Sequence, residues 1–248
     1  MNPSLEDVVC AFNALGYSAP FAAVAQKLGV DVQWLYHRYP SREALGEVWL
    51  SENIPAAPDN SNDAGLHGAF SCFVLPLLGA LESHRDFGRA WLAALKATGS
   101  LHLPQMSEFH DAAATYFLAW LDANQSCLSF PANVSYEDVR VELSDALCAI
   151  AVGLIAYWET DRSIMYARSL KMTDSIAYLL DALLMRRADF GNASLLVHLH
   201  FLHDQQHQQF LKPLLDILVK PERAGRYADP VSLLEALRML RPSPAQRP

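Results

Sequence analysis

The sequence predicts an all-α protein. Glycine and proline are concentrated between long periodic segments, and no succession of Val/Ile/Thr-rich alternating runs supplies strands. Helix-start signals also recur just ahead of apolar periods, as at Ser4 with Asp7, at Asp31, and at Ser135 with Asp138. With 52% hydrophobic and 19% charged residues over 248 positions, the chain has enough apolar material for a substantial core.

The elements follow in order. Ser4 caps a first helix running to about Leu15, and Gly16-Tyr17-Ser18-Ala19-Pro20 breaks it. Phe21–Leu28 is a short helix ended by Gly29, and Asp31 caps another over Val32–Arg38. Pro40-Ser41 opens a fourth helix from Arg42 to about Glu52. The polar, proline-bearing stretch from Pro55 to Asn62 then marks a boundary, giving a unit at 1–53 and a larger one at 63–240. Amphipathic patterns continue over Leu66–Glu82, Asp86–Ala97, Gln105–Asn124, Ser135–Glu159, Ile164–Arg187, Asn192–Phe210 and Pro213–Leu218. A last helix over Val231–Leu240 starts at Asp229-Pro230, and the proline-bearing tail 241–248 is expected to fray.

Composition narrows the function. Nineteen Lys and Arg against 27 Asp and Glu give a net charge of −8, so any attraction to a polyanion must be local. The longest apolar runs, such as Ala149–Tyr157, are shorter than the roughly 20 residues of a membrane span, and the N-terminus lacks a secretory pattern, so a cytoplasmic protein without membrane contact is expected. Four widely spaced cysteines, Cys10, Cys72, Cys127 and Cys148, read as reduced, buried thiols. No nucleophile elbow, glycine-rich phosphate loop or H-E-x-x-H motif is present, which argues against an enzyme and calls for no cofactor.

The segment 21–38 places Phe21, Val24, Ala25 and Leu28 on one face of the first short helix, Val30 in the turn, and Leu35 returning from the second. By spacing alone this fits either a helix-turn-helix or a plain αα-hairpin. The residues from Val24-Ala25 through Gly29-Val30 to Leu35-Tyr36-His37 and Tyr39-Pro40-Ser41-Arg42-Glu43-Ala44-Leu45 resemble the DNA-binding segment of TetR-type regulators. The likeness covers roughly the first fifty residues; beyond them only the long helical character agrees. It implies a tri-helical head that presents Val32–Arg38 to the major groove, followed by a helical bundle for ligand binding and dimerisation. The expected operator contacts are Gln33, Trp34, Tyr36, His37, Arg38 and Arg42, together with Lys27 on the preceding helix. Departures are concentrated at the contact surface: Pro20 and Ala22 stand where the family usually has Thr and Arg, and Asp31-Val32-Gln33 replaces Ser-Lys-Gly. Three basic residues against five acidic ones leave residues 1–50 at −2. The rival expectation is therefore a head that has lost the operator and binds a protein partner.

Two further sets have alternative readings. Trp91, Phe109, Tyr116, Phe117, Trp120, Tyr157 and Trp158 are core by their helical spacing, or line a cavity for a small apolar effector with His110 as a polar group beside it. Ala146–Ile155 and Ala177–Met185 are apolar on more than one face, as in a homodimer seam through Leu147, Ile150, Leu154, Ile176, Leu179 and Leu183, or as in the core of one chain. His198, His200, His203 and His207 cluster on one predicted helix without a completing acidic or thiol ligand, so no metal site is assigned to them.

Overall fold

A computed structural model describes residues 2–56, 65–98, 106–128, 135–185, 197–198 and 201–202. The described residues are helical and contain no strand. The segments expected at Pro213–Leu218 and Val231–Leu240, nearly all of Asn192–Phe210, and the tail lie outside them.

Four helices form the N-terminal unit: α1 (Leu5–Leu15), α2 (Phe21–Leu28), α3 (Val32–Arg38) and α4 (Arg42–Glu52). Each boundary has a local cause. The Ser4 hydroxyl accepts from the Asp7 amide while the Asp7 carboxylate accepts from the Ser4 amide, closing a capping box. Gly29 ends α2 in the left-handed region, at φ 68° and ψ 32°, where a side chain is strained. The Asp31 carboxylate accepts from the Gln33 amide at 2.8 Å, and the Ser41 hydroxyl accepts from Ala44 at 3.1 Å.

The body comprises α5 (Gly65–Ser83), α6 (Arg85–Ala97), α7 (Ser107–Ala123), α8 (Tyr136–Thr160) and α9 (Ala167–Leu184). The α5 helix packs most extensively on α9, and α8 packs against α5, α6, α7 and α9. By length and composition α5 alone among the described residues is apolar enough to cross a membrane, longer than the apolar runs expected to fall short of a span. It also provides nine buried residues, including Phe70 and Phe73.

The predicted helix from Ile164 needs correction. Residues Ile164–Tyr166 form a single 3₁₀ turn, and Met165 and Tyr166 have φ of 49° and 46°, so α9 starts at Ala167. Asp161 explains the break: its carboxylate accepts from the Ser163 amide, the Ser169 amide and the Ser169 hydroxyl at 2.7–2.8 Å, folding the chain around itself.

The two sequence units share one continuous hydrophobic core. Phe12 and Trp49 from the first unit both meet Phe87 of α6, with ring centroids 6.1 and 5.6 Å apart. Trp91 of α6 lies directly over Gly46 of α4 and donates its Nε1–H to the Glu43 carbonyl at 3.1 Å. Three body helices take an acceptor for their first-turn amides from elsewhere in the chain, and α6 and α7 have no side-chain cap of their own. The Asn13 side chain on α1 accepts from Phe87 of α6, Glu47 on α4 accepts from Glu108 and Phe109 of α7, and Asp181 on α9 accepts from Leu66 and His67 of α5.

Candidate nucleic-acid interface

The α2–α3 pair consists of two short helices joined by a tight turn at Gly29-Val30-Asp31. Val24, Ala25 and Leu35 are buried, the Val30 amide donates to the Ala25 carbonyl at 3.0 Å, and these contacts fix the crossing of the two helices. Burial of Leu35 turns its neighbours outward: Gln33, Tyr36, His37 and Arg38 are all exposed, as is Lys27 on α2. Trp34 is half-buried, with the Arg38 guanidinium 5.9 Å from its ring centroid and equally far from that of Tyr39. Arg38 also donates from Nε to the Tyr39 hydroxyl at 3.1 Å. Tyr36 rests its ring against Phe21, centroids 5.0 Å apart.

Arg42 is positioned differently from its expected role. Its Nη2 donates to the Ser18 and Ala19 carbonyls at 3.3 and 3.0 Å, and its guanidinium lies over the Tyr17 ring. This half-buried cation ties the α1–α2 loop to the start of α4.

The acidic residues of the head are mostly engaged away from α3. Glu6 contacts His84 at the α5–α6 junction, Glu47 caps α7, and Asp7 completes the α1 capping box. Glu43 accepts from the Tyr17 hydroxyl at 3.2 Å. Burial acts to raise the Glu43 carboxyl, but hydrogen bonds from its own amide, Ser41 and Tyr17, together with Arg42, hold it below its ordinary value. Asp31 is the one acidic residue on the α2–α3 unit itself, and it shares that unit with Lys27, His37 and Arg38.

The aromatic set forms core contacts. Phe73 lies 6.3, 5.0 and 4.6 Å from the ring centroids of Phe109, Tyr116 and Phe117, and Phe70 stacks on Phe117. Tyr116 donates its hydroxyl to the Ala69 carbonyl, and Trp158 donates from Nε1 to Glu82. Trp91, Trp120 and Tyr157 are buried as well, while His110 is half-buried 3.4 Å from Asp145.

The expected seam is likewise internal. Leu147, Ile150, Leu154, Ile176 and Leu179 are each at most 2% exposed within one chain, because α8 and α9 are enclosed by the chain's own helices. These five therefore offer no face to a second copy; the Leu183 side chain lies outside the described residues. The thiol expectation also needs correction, for Cys10, Cys72 and Cys127 are exposed and Cys148 alone is buried. Of the histidine cluster, His198 is described: its Nδ1 is hydrogen-bonded with the Ser175 hydroxyl at 3.0 Å and its ring stacks on Tyr178, whereas His200, His203 and His207 lie outside the described residues.

Comparison with known proteins returns no match to this chain among family models, curated proteins or solved structures.

Proposed function

We propose that the chain is a TetR-like, ligand-responsive transcription regulator that binds a palindromic operator as a homodimer in the cytoplasm. The observation that supports this reading is the partition of charge in the head. Glu6, Glu43 and Glu47 are engaged with the body or the α1–α2 loop, while the exposed groups of α3 are Gln33, Tyr36, His37 and Arg38. Gln33 suits a bidentate contact to adenine in the major groove, and Tyr36, His37, Arg38 and Lys27 suit phosphate oxygens on either side. The resemblance of Leu35–Leu45 to the TetR-type segment agrees with that assignment.

Effector control follows from the shared core. The head rests on α6 and α7, so a small apolar effector that binds the aromatic body better in one arrangement of the heads biases that arrangement by its differential affinity and no more.

A second reading draws on two observations. Arg42 is committed to the Ser18 and Ala19 carbonyls, and the Asp31 carboxylate remains exposed at the start of α3. These would suit a head that has exchanged DNA for a protein partner. Titrating the purified protein with DNA from upstream of its own gene, and with a pool selected from random sequence, separates the two. A regulator shows steep loss of affinity with salt, and Gln33→Ala weakens binding by about 1–3 kcal/mol at one base position. Affinity confined to about 10⁻⁴–10⁻⁶ M at physiological salt for both DNAs rejects it.

A further inference from the structure

Away from the residues of α3, α1 meets the α5–α6 junction through three side chains of metal-ligating type, Glu6, Cys10 and His84. Glu6 and Cys10 are one turn apart on α1 and share a face. His84, at the N-cap position of α6, reaches them from the body. The His84 Nε2 lies 2.5 Å from the Glu6 Oε1, and the carboxylate oxygen, thiol sulfur and imidazole nitrogen all lie within 4.8 Å of one another. The imidazole is held in place: its side chain is 9% exposed and its ring stands edge-on to Trp49, centroids 5.7 Å apart. Glu6 and Cys10 are exposed, so the cluster opens to solvent on one side.

The donor set discriminates among cations. Calcium and magnesium take oxygen ligands, whereas one sulfur, one nitrogen and one oxygen suit a borderline-soft ion. Zinc binds such atoms at about 2.0–2.3 Å, which sets neighbouring ligands roughly 3.4 Å apart in a tetrahedron. Reaching that spacing requires the flexible Glu6 side chain to withdraw from His84 by about an ångström.

We propose that Glu6, Cys10 and His84 form a three-ligand site for a divalent cation of the zinc type, with a fourth position open to water. Bound there, the ion cross-links α1 of the head to the α5–α6 junction of the body. Binding there displaces the Cys10 thiol proton, so affinity rises with pH. The site is independent of any contact made by α3 and stands or falls apart from DNA binding.

Cobalt(II) titration of the reduced full-length protein tests it. The expected result is a thiolate-to-cobalt charge-transfer band in the near ultraviolet, saturating at one ion per chain and abolished by added zinc. Cys10→Ser, at an exposed position, should remove the band and weaken binding at least about tenfold, while Cys72→Ser and Cys127→Ser leave both unchanged. Zinc should raise the melting temperature of the wild type and leave that of Cys10→Ser unmoved. Absence of the band in the wild type, or its persistence in Cys10→Ser, overturns the site and reduces the cluster to a Glu6–His84 hydrogen bond beside a bystander thiol.

Discussion

Two residues govern local geometry that the helical pattern does not reveal. Asp161 is 4% exposed, and its carboxylate holds Ser163 and Ser169 around the left-handed Met165 and Tyr166. Burial acts to raise its pKa, but the hydrogen bonds from Ser163 and Ser169 outweigh that and hold it below the usual aspartate value. A carboxyl lowered by folding contributes stability above its unfolded pKa of about 3.9 and loses it as pH falls through the folded value. Urea unfolding at pH 7 should therefore show Asp161→Asn less stable than wild type by about 2–3 kcal/mol, with the gap closing below about pH 4. At Gly46 the constraint is space. A Cβ there would fall 2.4 Å from the Trp91 Nε1 and 2.5 Å from its Cε2, so Gly46→Ala must displace the indole and break its bond to Glu43. Calorimetry should register a loss of about 1–3 kcal/mol for that single methyl.

At the scale of elements, what the sequence displayed was what lies close in the chain. Ser4, Gly29, Asp31, Ser41 and Ser135 act within four residues of themselves, and the starts of α1, α3, α4 and α8 and the end of α2 were legible from them. Asn13, Glu47 and Asp181 cap helices 61 to 115 residues away, so no local spacing betrays them. The same limit hid the Glu6–Cys10–His84 cluster, which arises only when α1 docks; the start of α9 has a local cause instead, the Asp161 carboxylate folding the nearby Ser163 and Ser169 around itself. Asn13→Ala should cost about 1 kcal/mol in denaturant unfolding, comparable with loss of a local cap, because an α6 amide loses its acceptor. Asp31 allows cap and charge to be tested separately. Asparagine caps as well as aspartate, so Asp31→Asn should leave stability within about 0.5 kcal/mol while strengthening DNA binding by removing a carboxylate from the phosphate path. Unchanged or weaker binding would place Asp31 outside the interface.

For the molecule as a whole, apolar character told that α8 and α9 are surrounded but not by what. The enclosing helices are the chain's own, since α5, α6, α7 and α9 cover α8. Hydropathy cannot distinguish a partner's side chain from an intramolecular neighbour, and for that reason Leu147, Ile150, Leu154, Ile176 and Leu179, expected at a seam, are core. Net charge is blind to placement in a similar way: of the acids behind the −2 of residues 1–50, Glu6 and Glu47 are engaged with the body, while Asp31 stands exposed at the start of α3.

The most direct test of operator docking by α3 is a hydroxyl-radical footprint on the best DNA from the random pool. Two-fold docking of paired heads predicts two protected half-sites related by a dyad, with centres about 10–10.5 base pairs apart or a multiple of that, and loss of both on Gln33→Ala. Uniform protection without a dyad, or a footprint that Gln33→Ala leaves intact, would contradict it.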